Sequence, residues 1–444
     1  MAYHPLPNTG NDDPGARIPR TYAWAVFALS FGLLLSDYMS RQVLNAVFPL
    51  LKAEWALTDA RLGLLSGVVA LMVGLLTFPL SLLADRFGRV KSLAIMATVW
   101  SLATLGCGLA QDYPQMLAAR FLVGVGEAAY GSVGVAVVLS VFPKHMRATL
   151  TGAFMAGGMF GSVLGMALGG AVAAQMGWRW AFAAMAMFGL ALALLYPIIV
   201  REKRIAPPRP DAPDSDGNRL ATAAAAKVPL RSLVNSRSVV GAYIGSGLQL
   251  FVGGTVIVWL PSYLNRYYAM ATDSAGAVAA MIVLVAGLGM IVCGMVSDRM
   301  CRNGPARKFS LAIAYALSSC VLLSLAFALP HGTPQLVMIG LGMLLAAGTS
   351  GPAGAMVANL TPQPIHGTAF AMLTLVNNLL GIAAGPLVTG VLADHLGLAK
   401  AFQLVPLIGV AAAAVFYFAK RHYLADVQQV GRHVHTCGGA EAPT

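Results

Sequence analysis

The chain has 444 residues, of which 58% are hydrophobic and 10% are charged, and its formal net charge is +12. A soluble globular protein carries about 25% charged residues, so this composition excludes a surface that faces water on all sides. It is typical of a chain that lies mostly in lipid and keeps its charges in loops. The excess of Lys and Arg then reflects the positive loops of a membrane protein, and we expect no nucleic-acid partner.

Twelve apolar runs follow one another, each long enough for a helix of about 20 residues that crosses a bilayer. The first begins near Tyr22 and is too long for the core of a cleavable signal peptide. The first six runs lie at 22–48, 62–84, 92–110, 114–140, 149–173 and 178–200. The second six lie at 239–264, 274–297, 309–329, 335–358, 367–392 and 399–419. The sequence therefore predicts an all-α membrane protein with twelve transmembrane helices.

A polar, proline-rich stretch divides these helices into two six-helix bundles. The predicted parts are an N-terminal tail (1–20), a first bundle (21–200), a linker (201–237), a second bundle (238–420) and a C-terminal tail (421–444). Lys and Arg cluster at the helix ends that share a side with both termini, and the opposite loops are nearly uncharged. Because positive loops stay in the cytoplasm, we predict that the tails and the linker are cytoplasmic. We expect a multi-pass protein of a bacterial inner membrane.

The loop between the second and third runs carries a motif. Its segment Leu82–Lys91 reads LLADRFGRVK and closely resembles the loop 2–3 signature of the major facilitator superfamily. The resemblance implies the two-bundle major facilitator fold. It also implies that Asp85, Arg86 and Arg89 form a cytoplasmic gate that latches the two halves, while Gly88 permits the tight turn.

A similar Asp-Arg pair, Asp298-Arg299, ends the eighth run at the same place in the second half. This internal symmetry is expected of a transporter built from two related bundles. We assign Asp298 and Arg299 to the same cytoplasmic gate, although Cys301 occupies the position of the glycine.

A second resemblance is to the Spinster-like branch and the neighbouring anion-symporter branch of this superfamily. The segment Arg120–Tyr130, RFLVGVGEAAY, is similar to helix 4 of these proteins. These branches usually carry an acid directly before an arginine in helix 1. Here Ser40 precedes Arg41, and the nearest acid, Asp37, lies one helical turn earlier.

Four charged residues lie inside the predicted spans away from their ends: Asp37, Arg41, Arg120 and Glu127. A charge at the bilayer centre costs on the order of 3 kcal/mol, so these side chains should face a cavity or each other. We predict that Asp37 and Glu127 carry protons, since burial and a nearby guanidinium oppose each other in setting a carboxyl's proton affinity. Arg41 and Arg120 would bind an anionic substrate group. The alternative is an inert ion-pair cluster that joins helix 1 to helix 4.

Uncharged polar and aromatic residues complete the predicted substrate site. Tyr130 lies one turn beyond Glu127, and Gln249, Trp259, Asn377 and Asn378 lie in the second half. The alternative for the residues of the second half is that they hold neighbouring helices together.

The fifth run is rich in glycine, at positions 157, 158, 161, 165, 169 and 170. Small residues at a spacing of four allow helices to approach closely, so we expect a rocking seam between the halves here. The run lacks the Gly-Pro pair of the antiporters that it resembles, which favours symport.

These features predict a secondary active transporter that couples proton symport to a small organic anion, such as a sugar acid or an aromatic carboxylate, by alternating access. The alternative is a Spinster-like, proton-coupled transporter of a lysophospholipid or another amphipathic lipid, because the spans of the second half carry no internal charge. We expect a monomer that has no metal and no cofactor beyond the proton. No constellation of catalytic residues lies at membrane depth, so we do not expect an enzyme.

Overall fold

The computed structural model describes residues 19–143, 146–205, 236–301, 307–361 and 365–438. The predicted N-terminal tail, most of the predicted linker and the last residues of the C-terminal tail lie outside these ranges. Within the linker, one short helix, Glu202–Ile205, is described.

Within these ranges, twelve helices are long and apolar enough to cross a membrane, which confirms the predicted number. The first bundle contains α1 (Arg20–Trp55), α2 (Asp59–Phe87), α3 (Arg89–Leu109), α4 (Tyr113–Ser140), α5 (Arg147–Met176) and α6 (Trp178–Ile199). The second contains α7 (Arg237–Tyr268), α8 (Thr272–Met300), α9 (Arg307–Ala328), α10 (Thr333–Leu360), α11 (His366–Leu396) and α12 (Leu398–Tyr423). The helical backbone continues beyond α12 to Gly438.

The outer surface of the bundle is apolar. Leu109, Ile198 and Met281 are about two-thirds exposed, with 70%, 68% and 67% of their surface accessible. Large exposed apolar surfaces are rare on soluble monomers and suit a protein whose solvent is lipid. Tight turns join the helices, and Gly88, between α2 and α3, has φ +100°, a conformation that favours glycine. The predicted turn at Gly88 is therefore confirmed.

The two ends of the bundle are named here by the chain termini. The terminal face is the end at which α1 begins and α12 ends, and the far face is the opposite end. The Lys/Arg distribution predicts that the terminal face is cytoplasmic.

Three spanning helices are irregular at mid-depth. A break at Ala128 and Ala129 interrupts α4, and a break at Gly348 and Thr349 interrupts α10 at the corresponding place of the second half. In α11 the segment Asn377–Ala383 is a π-helix. Such irregularities free backbone groups and often occur at functional sites. At the break in α4, the Thr77 hydroxyl lies 2.6 Å from the carbonyl oxygen of Ala128 and also contacts that of Val73 in its own helix.

The two halves touch each other closely near the far face. A methyl group at Gly67 of α2 would lie 2.6 Å from the carbonyl oxygen of Ala383 in α11. A methyl group at Gly170 of α5 would likewise lie 2.8 Å from the carbonyl oxygen of Thr272 in α8. Real side-chain carbons do not approach other atoms this closely, so the two backbones are in direct contact at these glycines. These contacts close the far half of the seam between the bundles.

The same seam is open towards the terminal face. Methyl groups built at Gly152 of α5, Gly294 of α8 and Gly367 of α11 would have open space around them. Apart from the neighbouring backbone of the same helix, no described atom would lie within 4 Å of them. The structure is therefore closed at the far face and open at the terminal face.

The glycines of α5 pack differently from the expected rocking seam. Methyl groups at Gly161, Gly165 and Gly169 would meet Leu35, Met39 and Val43 of α1, in the same half. Gly170 is the residue of this set that approaches α8. The expectation of a seam between the halves is thus wrong for most of these glycines, because the glycine face of α5 points to α1.

Candidate functional site

The charged residues of α1 and α4 meet inside the first bundle, as predicted. The Nε–H of Arg41 donates to Asp37 Oδ1 at 3.1 Å, one helical turn away. The same nitrogen lies 2.8 Å from Glu127 Oε2 of α4. One guanidinium group therefore holds two carboxyl groups from different helices.

Ser40 and Arg120 enclose this cluster on its inner side. The Ser40 hydroxyl lies 3.1 Å from Glu127 Oε1 and 2.8 Å from the carbonyl oxygen of Asp37. Arg120 donates from Nη1 to the carbonyl oxygen of Ser40 at 3.0 Å and from Nε to that of Leu65 at 3.3 Å. In this conformation Arg120 is buried and bonded to backbone, so it does not face the opening.

Arg41 is the exposed member of the cluster. Its side chain is 20% exposed, whereas 3% of the Asp37 side chain and none of the Glu127 side chain is exposed. Within the described part of the chain, its two terminal nitrogens form no hydrogen bond, and its guanidinium carbon lies 5.2 Å from the centre of the Tyr38 ring. A pair of parallel N–H donors is thus available to a carboxylate or phosphate.

Two predicted substrate contacts are occupied by other protein groups. The Tyr130 hydroxyl donates to the carbonyl oxygen of Ser30 at 2.6 Å, so it does not reach Glu127. Trp259 donates from Nε1 to the carbonyl oxygen of Pro386 at 3.0 Å and is fully buried. In this conformation both side chains are packed inside the protein.

The three predicted amide side chains of the second half are only partly satisfied. Gln249 donates to the Ser319 hydroxyl at 2.9 Å, and Asn378 donates to the carbonyl oxygen of Thr374 at 2.9 Å. Gln249 Oε1 and Asn377 Oδ1 are buried and have no hydrogen-bond partner among the described residues. These two acceptors remain candidates for a donor on the substrate.

Three residues of the predicted cytoplasmic gate lie exposed at the terminal face of the described structure. Arg86, Asp298 and Arg299 are exposed, and among the described residues none of them forms an ion pair. The side chain of Asp85, in α2, lies outside the described part of the structure. A latch between the halves at this face remains a prediction for the conformation in which the face is closed.

Glu202, in the short helix after α6, makes a contact that the sequence did not predict. Its carboxylate accepts the backbone N–H of Arg89 at 2.9 Å and that of Val90 at 2.7 Å. It therefore caps the start of α3, next to the loop signature.

A second missed group lies at the far face and joins the two bundles. Arg266 of α7 donates to both carboxylate oxygens of Asp59 at the start of α2, at 2.8 and 2.6 Å. Lys52 of α1 donates to the same carboxylate at 2.6 Å. The sequence did not single out this pairing, because each of these charges lies at a helix end, where charged residues are common.

Comparison with known proteins agrees with this fold. Residues 30–351 and 242–434 match the family described as the Major Facilitator Superfamily. The chain is 28% identical to the sphingosine-1-phosphate transporter SPNS2 of Danio rerio, over 94% of this chain and 87% of that protein. It is 27% identical to a probable L-galactonate transporter of Escherichia coli (strain K12), over 78% of each.

A solved structure shares the fold. It is that of a bacterial homolog to the human lysosomal transporter Spinster, in an inward-facing and unoccupied conformation. The TM-score is 0.82 at 21% identity, over 92% of this chain and 99% of that chain. With the family match, the twelve helices and the loop signature, the likeness leads to one conclusion: the chain belongs to the Major Facilitator Superfamily.

Proposed function

We propose that this protein is a proton-coupled symporter of a small organic anion. The observation that carries the proposal is the position of Arg41, which pairs with Asp37 and Glu127 through Nε and leaves its terminal nitrogens without a protein partner among the described residues. A guanidinium in this position can exchange a carboxyl of the protein for a carboxylate of the cargo.

Charge balance would couple the uptake of a proton to the binding of the anion. With both acids ionised, the charges of Asp37, Glu127, Arg41 and Arg120 cancel. A proton taken up by Glu127 leaves one net positive charge beside the opening, and a buried charge requires a partner. The anion would supply that partner, so proton and anion would load together.

Alternating access would carry both across the membrane. The far face is closed by the contacts of Asp59 with Arg266 and by the close glycine contacts, and the terminal face is open. If the terminal face is cytoplasmic, this is the state that exchanges proton and anion with the cytoplasm. We place the protein in a bacterial inner membrane, where a proton gradient is available.

A second candidate is transport of an amphipathic lipid with an anionic headgroup. The spans of the second half carry no charge away from their ends, so that half can offer an apolar wall to an acyl chain. SPNS2 is named for sphingosine-1-phosphate. Arg41 would then hold a phosphate rather than a carboxylate.

Uptake into proteoliposomes separates the two candidates. Labelled L-galactonate, gallate and a lysophospholipid should be offered separately, with and without an imposed proton gradient. We expect uptake of an organic acid that rises with the gradient and stops when an ionophore dissipates it. Uptake of the lysophospholipid, with no uptake of L-galactonate or gallate, would reject the main proposal in favour of the second.

A further inference from the structure

Ser40 is a buried residue at the centre of the charged cluster, 1% exposed. Its hydroxyl oxygen faces two acceptors, Glu127 Oε1 at 3.1 Å and the carbonyl oxygen of Asp37 at 2.8 Å. A serine hydroxyl has one proton to donate and two lone pairs that accept. It therefore cannot donate to both oxygens at once.

The protonation state of Glu127 decides between two arrangements. When Glu127 is ionised, the Ser40 proton is drawn to the carboxylate, since a charge-assisted hydrogen bond is about twice as strong as a neutral one. When Glu127 is protonated, its own O–H can donate to the Ser40 oxygen, and the Ser40 proton turns to the Asp37 carbonyl. Both arrangements use the observed distances without moving a heavy atom.

We propose that Ser40 is a positioning residue that holds Glu127 in one orientation in both protonation states by rotating its hydroxyl. This inference rests on the proposed role of Glu127 as a proton carrier. It gives a role to the serine at the place where the resembling branches have an acid. In this chain the acid lies at Asp37, and the neutral, rotatable hydroxyl of Ser40 contacts Glu127 instead.

Other titratable groups also act on Glu127. Asp37, Tyr38 and Arg41 face it from α1, Arg120 belongs to its own helix, and Cys107 faces it from α3. A test must therefore remove the Ser40 hydroxyl and leave these groups in place. Ser40→Ala does so, and the Arg120 contact with the backbone carbonyl of Ser40 is retained.

Infrared difference spectroscopy of the purified protein tests the proposal without a cargo. The carbonyl stretch of a protonated carboxyl group is followed against pH, and Glu127→Gln identifies the band of Glu127. Because the ionised state loses the stronger hydrogen bond, Ser40→Ala should move the midpoint of this band upward by about half to one pH unit. The band itself should move to higher frequency. Ser40→Cys, with a weaker donor, should give a smaller shift in the same direction.

The matched control is Ser36→Ala, which removes another buried hydroxyl from α1, beside Gly189 of α6. We expect its midpoint to equal that of the wild type. An unchanged midpoint and frequency in Ser40→Ala would overturn the role of Ser40 and leave that of Glu127 intact. If Glu127→Gln removes no titrating band, the proton carrier is wrong and both proposals fall.

Discussion

Asp394, near the end of α11, caps the start of α2 in the other half of the protein. Its carboxylate accepts the backbone N–H of Asp59 at 2.7 Å and that of Ala60 at 2.9 Å. The first N–H groups of a helix have no partner within the helix, and an acid there also suits the helix dipole. The closed far face is therefore stabilised by a helix cap that one half supplies to the other.

Removing this cap should favour the conformation that is open at the far face. Loss of a helix cap costs about 1 kcal/mol, which changes a two-state ratio about fivefold. We expect Asp394→Ala to increase the population of long distances between spin labels at Gln175 and Lys400, two exposed far-face positions in different halves. Pulsed electron resonance measures these distances.

The matched control for the cap is Asp112→Ala. Asp112 accepts the backbone N–H of Gln115 at 2.9 Å and so caps α4 from within the same half. The distance distribution should remain that of the parent protein. A shift as large as that of Asp394→Ala would mean that the effect of Asp394→Ala does not come from its cap between the two halves.

The ion pair of Arg266 with Asp59 should contribute more than the cap. Its geometry is bidentate, and 3% of the Asp59 side chain is exposed. Arg266→Gln leaves this buried carboxylate with Lys52 alone, so the shift towards long distances should exceed that of Asp394→Ala. Arg179→Gln breaks an ion pair with Glu54 inside one half and should have no such effect. Equal shifts in Arg266→Gln and Arg179→Gln would contradict a role of the Arg266–Asp59 ion pair in closing the far face.

Arg41→Lys tests the proposed contact with the anion. Lysine keeps the positive charge but lacks the planar pair of donors that fits a carboxylate. We expect the KM for the transported anion to rise about tenfold or more, with a smaller change in maximal rate. Arg61→Lys is the control, because Arg61 also lies against a tyrosine ring, that of Tyr113, but outside the cluster. An unchanged KM in Arg41→Lys would exclude bidentate binding at this residue.

Asp426, beyond the last spanning segment, should make stability depend on pH. Burial alone would raise its pKa, but hydrogen bonds from Ser238 and Ser236 hold the pKa below its usual value of 3.8. The unfolded chain therefore binds more protons in acid, and the stabilisation is present above about pH 4 and lost as the pH falls through the folded pKa. Asp426→Asn should lower the melting temperature at pH 7 by about 1–2 °C.

This difference should begin to shrink as the buffer is taken from pH 6 towards pH 3.5, because the unfolded parent chain then takes up a proton at Asp426 more readily than the folded protein does. Tryptophan fluorescence during heating measures it. A difference that stays constant over this range would mean that Asp426 does not titrate as proposed.

The charged cluster could be predicted from the sequence because of helical spacing and the energy of burial. Asp37 and Arg41 lie one turn apart, and Arg120 and Glu127 lie seven residues apart on one face of α4. Charges in the middle of apolar runs must find partners, and the nearest are each other. The spacing did not indicate that Arg120 would bond to backbone carbonyl groups rather than face the cavity.

Contacts between the halves could not be predicted in the same way. Arg266 and Asp59 are 207 positions apart, and each lies at a helix end where a charge is unremarkable. The glycines of α5 correctly indicated a close helix contact, but a small-residue face does not specify its partner. Pairing of this kind depends on how the bundles are arranged, which local patterns do not encode.

Proton flux in Glu127→Gln decides whether this residue carries the proton. Proteoliposomes that contain a pH-sensitive dye are given an anion that the wild type transports, and labelled anion and internal pH are followed together. We predict that the variant still exchanges anion across the membrane but moves no protons with it. Proton movement at the wild-type ratio to anion would contradict the assignment of Glu127 as the proton carrier.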